Sequence, residues 1–520
     1  MDSTNRSKIS KSAIPFSEAL EKTGFGIFNY VLIILGGLLL TCNYYETAVA
    51  SFILPAAGCD LELTNQEKGI LSAIGYIGII VSSHFWGFLA DTKGRRYVIL
   101  PAILISTTVS VLSSFSNTFW LLVLLRFLNG FFVSGASATV YAYVGEFHTD
   151  HSRTRVIMAS SCVFSIGCML LPCIAWAVIN QSWSLPIPFL GVVYKPWRLY
   201  IVACACPGIL SAIIIMFYPE SPKFLMSIGK NEEALKILRK IHKWNKGSGD
   251  FQIREIIFDE DTSSLKNAST KSSSFIVIFF QTMWRQTAPL LQKGLILSTV
   301  LACTIQFWIF VTLHGMAIWF PYTVHNMVEF RKNNPGNSSS ICDVIYAKEF
   351  QLENERKQGI DNVNECNEQF ENQTFILHIL IEFFYGMGFF VIGFLVNRVK
   401  KTHILFFVLF VFGSCGIWIN FIYNTTLALL VYNMLFLAGV GIQVTSEIVV
   451  DLYPTYLRAM ALCISLMFGR LGGVFGAYIV SWLLTTNCEL TFNIAGVSLM
   501  LSGLLTFLIP KVKTFDKNDP

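Results

Sequence analysis

Runs of about 20 apolar residues, each long enough to cross a hydrocarbon core about 30 Å thick, recur along most of this chain. Backbone groups left unpaired in hydrocarbon cost several kcal/mol each, so only helices and closed barrels span a membrane. Barrel strands are short and alternate, whereas these runs are continuous, which predicts helices. The spans fall at 28–54, 69–90, 98–115, 119–144, 156–179, 198–218, 294–325, 374–396, 403–422, 427–448, 460–482 and 493–510. The expected fold is an all-α membrane protein of twelve transmembrane helices, six on each side of a polar linker at 219–293.

Charged residues make up 14% of the 520 positions, against roughly 25% in an average soluble domain, which excludes a soluble class. The basic residues sort by side. With the N-terminus inside, 28 of the 38 Lys and Arg fall in cytoplasmic segments, seven in outer loops, and Arg126, Arg198 and Arg470 in or at the mouth of spans. Both tails, 1–27 and 511–520, are therefore expected in the cytoplasm, with the chain in the plasma membrane or an intracellular vesicle membrane. The first 27 residues are polar and lead into a span too long for a signal peptide, so the first helix is expected to direct its own insertion. A net charge of +5 suits a surface facing anionic lipid and calls for no nucleic acid.

Two charged elements occur twice. Gly87-Phe-Leu-Ala-Asp91-Thr-Lys-Gly94-Arg95-Arg96 returns 306 residues later as Gly393-Phe-Leu-Val-Asn397-Arg398-Val-Lys400-Lys401. Glu146 and Arg153 return 305 residues later as Asp451 and Arg458, with the same gap of seven. Each copy sits where an apolar run meets charge, so residues 28–218 and 294–510 read as homologous halves. Gly87 permits close helix approach, and Gly94 a sharp turn ahead of Arg95 and Arg96.

The Gly87–Arg96 element resembles the signature loop of the major facilitator superfamily, and the resemblance extends over essentially the whole chain. In that family the signature acid latches the cytoplasmic side closed while the outside is open. The resemblance implies a latch made of Gly87, Asp91, Gly94, Arg95, Arg96, Glu146 and Arg153, with Asn397, Arg398, Asp451 and Arg458 in the second half. Arg126-Phe-Leu-Asn-Gly130, Pro219-Glu-Ser-Pro-Lys-Phe-Leu225 and Asp451-Leu-Tyr-Pro-Thr455 are similar to motifs of the sugar porter and organic ion transporter groups. Ile53-Leu54-Pro55, Ala175-Trp176-Ala177, Trp197-Arg198 and Trp319-Phe320-Pro321 resemble the synaptic vesicle glycoprotein 2 family most.

An ionised carboxylate inside a span costs at least about 2.5 kcal/mol, so such acids face a cavity or a partner. Glu46 is the leading candidate. Tyr45-Glu46-Thr-Ala-Val looks like the first-span motif of sugar porters, whose proton-coupled members pair that acid with the fourth-span arginine, here Arg126. Asn43, one turn earlier, stands where the synaptic vesicle family has another acid. With Trp176, Trp319 and Glu382, these form the expected substrate and coupling group. The resemblance implies transport of a small organic solute by alternating access, with proton coupling an option that Glu46 opens. The rival expectation is a vesicle or surface glycoprotein of the same fold that acts by binding partners.

The outer loop 326–373 lacks an apolar period and carries the glycosylation sequons Asn337-Ser-Ser and Asn372-Gln-Thr. A disulfide between Cys342 and Cys366 is expected there, with Cys59 and Cys488 as rival partners. In the linker, an amphipathic helix should follow Asn231, and 247–274 should be mobile. A short helix from Phe16 to Gly24 should close the N-terminal tail. No phosphate loop, metal-ligand spacing or nucleophile and base pair points to an enzyme, a metal or a cofactor.

Overall fold

The computed structural model describes residues 13–247, 251, 253, 255–257, 281, 284, 287–292, 294–334, 338–357, 372–395, 398–453 and 455–510. Among the described residues, twelve helices are long and apolar enough to cross a membrane. They are Ile27–Asp60, Gln66–Lys93, Arg95–Ser113, Phe119–Gly145, Arg155–Ile179, Pro196–Phe217, Ile296–Asn333, Asn372–Ile392, Lys401–Phe421, Thr425–Val449, Met460–Thr486 and Cys488–Leu508, taken below as spans 1 to 12. Their ends follow local chemistry. Thr64 and Glu67 cap span 2 reciprocally, each side chain accepting from the other's backbone N–H. Gly94, at φ +114°, makes the turn into span 3 that a side chain would strain. Span 6 is two pieces, Pro196–Cys204 and Cys206–Phe217, because Pro207 has no N–H with which to continue the helix.

The packing repeats between the halves. Spans 1 and 5 pair as 7 and 11 do, 3 and 6 as 9 and 12 do, and span 2 meets span 11 as span 8 meets span 5. Glycines set the closest crossings. Gly130 of span 4 lies on the backbone of Gly75 in span 2, Gly472 and Gly476 of span 11 on the carbonyls of Phe307 and Val311 in span 7, and Gly416 of span 9 on Gly496 of span 12. Any Cβ at these positions would force the helices apart.

The N-terminal tail and the linker form one appendage on the first half. The strand Ala13–Pro15 runs parallel to Glu255–Ile257, and the helix Phe16–Lys22 packs on the linker helix Asn231–Lys246. This corrects the expectation of a mobile 247–274 at its first part, where Ile253 and Ile256 are buried; most of the remainder lies outside the described residues. Asn245 ties the appendage down. Its amide donates to Gly24 O at 2.8 Å and Asn29 Oδ1 at 2.9 Å, and its oxygen accepts from Phe28 N. Asn29 in turn donates to His148 Nε2 at 2.8 Å, while His148 Nδ1 meets Val144 O at 2.8 Å. Those contacts fix a neutral ring that accepts at Nε2 and donates at Nδ1.

The outer loop holds a helix, Ile341–Lys357, which the missing apolar period concealed. Ser340 caps it by exchanging hydrogen bonds with Asp343. The expected Cys342–Cys366 disulfide is corrected: Cys342 is bonded to Cys488 at the head of span 12, with Cα atoms 5.4 Å apart. Tyr346 reinforces the seam, donating to Glu489 Oε2 and accepting from Cys488 N, both at 2.7 Å. Cys59 is also disulfide-bonded. Cys366 and the sequon residue Asn337 lie outside the described residues.

Two outcomes follow from this arrangement. The Cys342–Cys488 bond closes a loop of 146 residues, so Cys342→Ser should lower unfolding stability by about 2–4 kcal/mol, and non-reducing peptide mapping should recover the linked pair. Burial holds His148 below the ordinary histidine value, and the Val144 contact offsets this only in part. The appendage should therefore be fully stable above about pH 6.5 and loosen as pH falls below it, since the unfolded ring takes a proton first. Limited proteolysis of the linker between about pH 7 and 5.5 would reveal the change, and no pH dependence would refute it.

Candidate functional site

At the end of the molecule carrying the Arg95 loop, the first-half motif residues form one network. Arg95 bonds Asp91 at 3.2 Å and Glu146 at 3.1 Å, donates to Ala90 O, and lies 5.0 Å from the centroid of the Phe224 ring. Arg96 donates to Ile215 O and Met216 O at the end of span 6. Burial pushes the Glu146 carboxyl upward and the Arg95 charge pulls it back. Arg153 packs beside Gly145. Sequence reasoning missed Glu220, whose carboxylate accepts from the backbone N–H groups of Arg95, Arg96 and Tyr97 at 3.0–3.3 Å and so occupies the N-terminus of span 3. The quoted Pro219-Glu-Ser-Pro motif contained it without assigning it a role.

In the second half the base is Lys401, also missed, which pairs with Asp451 at 2.9 Å and Glu447 at 3.5 Å. Arg398 is exposed at the foot of span 8. Asn397 and the Arg458 side chain are outside the described residues.

None of these described pairs bridges the halves. The Asp91 side chain is 69% exposed, and a Cβ on Gly87 would meet nothing within 4 Å. The opposite end is closed. There Phe52 of span 1 stacks on Phe375 and touches His378 of span 8 with centroids 4.9 Å apart, and Phe320 of span 7 covers the other side of His378. A Cβ on Gly69 of span 2 would stand 3.3 Å from Ser481 of span 11.

Within the first half, Glu46 and Arg126 meet at 3.1 Å, with side-chain exposures of 1% and 5%. Ser110 donates to the same carboxylate oxygen at 2.8 Å, and Arg126 donates to Ser113 at 2.8 Å. The pair is thus built from spans 1, 3 and 4 inside the first half, rather than in the gap between halves. Glu46 Oε1, Arg126 Nε and Asn43 Oδ1 are buried without a hydrogen-bond partner among the described residues.

Glu382 does lie between the halves, accepting from Tyr44 of span 1 at 2.6 Å. Two further polar bridges cross there: Tyr76 with His314 at 2.8 Å, and Arg470 donating to Ser83 at 3.1 Å. Tyr76 and His314 gave no signal in the sequence, because a single phenol or imidazole in a span has no pattern. Trp176 and Trp319 are not brought to this group. Trp176 is at the closed end, donating to Asn372 Oδ1 at 3.0 Å and stacked on Phe375. Trp319 is buried in the core of the second half against Tyr322, its Nε1 without a partner.

A family profile described as "Sugar (and other) transporter" matches residues 26–337. Synaptic vesicle glycoprotein 2C of Rattus norvegicus is 28% identical over 346 residues, covering 63% of this chain and 47% of that protein. Synaptic vesicle glycoprotein 2B of Homo sapiens is 27% identical over 321 residues, covering 59% and 47%. The chain spans about half the length of these curated relatives. The xylose transporter XylE from E. coli, in a partially occluded inward open conformation, superposes with a TM-score of 0.62 over 94% of this chain and all of that one, at 17% identity. A D-xylose-proton symporter gives 0.59 over 94% and 99%, at 16% identity. Twelve helices in two repeating halves, the Arg95 network and the profile match agree: the chain belongs to the sugar (and other) transporter family and carries the major facilitator fold.

Proposed function

We propose that this chain is a secondary transporter that moves a small organic solute by alternating access, coupled to protons through Glu46. The observation that carries the reading is the 3.1 Å Glu46–Arg126 pair, sealed among membrane spans. A carboxylate so placed changes its proton affinity whenever its pairing or hydration changes, so a conformational cycle that opens and closes the site moves protons. Span 1 supplies the link to solute. Tyr44 faces Glu382 of the other half, and Glu46 lies two residues further along the same helix. Solute that displaces the Tyr44–Glu382 contact reorients span 1 and with it the acid.

The excess of Lys and Arg in its loops supports a cytosolic Arg95 end, and with the opposite end closed it supports an inward-facing conformer. Its aromatic seal is Phe52, Phe375, Phe320 and His378. Asp91, Arg95, Glu146 and their second-half counterparts are the groups available to latch the cytosolic end when the protein turns outward. The D-xylose-proton symporter and the xylose transporter among the structural neighbours support a solute of modest size.

In proteoliposomes screened with labelled sugars and organic acids, Glu46→Gln should abolish accumulation driven by a pH gradient while leaving equilibration. Equal accumulation by wild type and variant would refute proton coupling through this residue. The pair also makes a stability claim. Arg126→Met alone strands a buried carboxylate and should cost about 3–5 kcal/mol, whereas adding Glu46→Gln should restore most of it. Thermal unfolding in detergent would measure both.

A further inference from the structure

The linker helix Asn231–Lys246 is held to two spans at the same end of the bundle. Lys240 donates to Phe217 O at 3.4 Å, at the foot of span 6, and Asn245 bonds Gly24 O and Phe28 N at the start of span 1. Those two span ends are themselves joined, since Tyr218 donates to Phe28 O at 2.9 Å. The helix therefore runs across the ends of the spans, at the depth where hydrocarbon gives way to lipid headgroups.

Its flanks differ. Ala234, Leu235, Leu238 and Ile241 are buried in the core shared with the first half. Lys236, Lys240 and Trp244 follow at intervals of four and share the flank turned to span 6. Trp244 packs on Phe28 and Tyr218, and the Lys240 ammonium lies 5.2 Å from its ring centroid. From the opposite side, Arg96 of span 3 donates to Met216 O at 2.9 Å, so a guanidinium and an ammonium hold the carbonyls of consecutive residues. Among the described residues, neither cation has a carboxylate within ion-pair distance. Glu220 is spent on the backbone N–H groups of Arg95, Arg96 and Tyr97, and Glu233 on Lys230. Beside these charges the bundle is apolar and uncovered. Ile209, Ile213 and Phe217 form one exposed face of span 6, ending at Phe217 with 69% exposure.

We propose that the foot of span 6, between span 3 and the linker helix, binds one anionic phospholipid, its phosphate held by Arg96 and Lys240 and an acyl chain lying along Ile209, Ile213 and Phe217. Charge and apolar face adjoin, so one molecule must meet both. A soluble phosphate would satisfy the cations and leave the face bare, and a zwitterionic lipid would cover the face but bring its own cation. Trp244 suits the same level, where indole rings anchor helices at the membrane surface. With the Arg95 end in the cytosol, the adjacent leaflet is the one that carries anionic lipid. The site lies on the outside of the first half, away from the contacts between halves, so it goes beyond the transporter reading and does not depend on it.

The test is lipid binding to the purified full chain in detergent, which needs no transported solute. Native mass spectrometry and thermal unfolding follow titrations with phosphatidylserine, with phosphatidylglycerol, with phosphatidylcholine of the same chains, and with soluble glycerol 3-phosphate. Both anionic lipids should stabilise wild type and give one tightly held adduct, and phosphatidylcholine and glycerol 3-phosphate should not. Lys240→Gln should weaken binding about fivefold, Lys240→Glu should weaken it further, and Lys240→Arg should retain it. Lys22→Gln removes an equal charge from the same appendage and should leave binding unchanged. The comparison among lipids on wild type stands even where a variant fails to fold. An equal response to phosphatidylcholine, an equal response to glycerol 3-phosphate, unchanged binding in Lys240→Gln, or an equal loss in Lys22→Gln would each overturn the proposal.

Discussion

An ionised group held in hydrocarbon must find its counter-charge inside the protein, because neither lipid nor water is there to supply one. Glu46 and Arg126 meet that demand within one half, and the rest of the arrangement follows from it. Spans 1 and 4 are fixed relative to each other by the pair, and span 3 is drawn in by Ser110 and Ser113, which supply the hydrogen bonds that the charges retain. Breaking such a pair from one side costs more than removing both members, so the pair resists separation of these three helices. The glycine crossings do the same work sterically: backbone on backbone at Gly75 and Gly130 leaves no slack for sliding.

Between the halves the chemistry changes. Tyr44–Glu382, Tyr76–His314 and Ser83–Arg470 are single hydrogen bonds between polar groups, flanked by aromatic contacts at one end only. A net hydrogen bond is worth about 0.5–1.5 kcal/mol, somewhat more where one partner is charged. Three of them are small beside the packing that holds each half together. Polar contacts of this kind can be exchanged at small cost, as the proposed alternating-access cycle requires.

Much of this was legible in the sequence, and the limits are physical. The twelve spans could be read because hydrocarbon imposes length and continuity on each one separately. Family motifs singled out Glu46 and Arg126, which lie 3.1 Å apart inside the first half. Pairings that depend on three-dimensional proximity left no local trace. Cys488 is 146 residues from Cys342, and loop composition favoured the nearer Cys366. Strand Ala13–Pro15 is too short to show a period, and its partner Glu255–Ile257 lies in a Ser- and Thr-rich context that reads as unstructured. Glu220 and Lys401 were passed over because a charge in a loop reads first as topology, and only the helix N-terminus or acid opposite gives it work. Trp176 drew attention as a ligand contact because large aromatics resemble binding residues, yet burying area at a closed seam uses the same side chain.

The two membrane carboxylates now separate by position. Opening the cytosolic side or the outer side changes the distance between halves, and only Glu382 lies across that boundary. Glu46 has its partners on spans 3 and 4 of its own half, so a change in the distance between halves does not by itself separate them. Its environment changes through span 1, where Tyr44 feels the second half directly and Asn43 keeps a buried oxygen with no partner. An unsatisfied amide oxygen next to a half-satisfied carboxylate is a site that gains from water, and water entering there would weaken the charge pair by raising the local dielectric. In the proposed transport cycle, coupling would run from solute to Tyr44 and Glu382, along span 1 to hydration at Asn43, and last to the proton on Glu46.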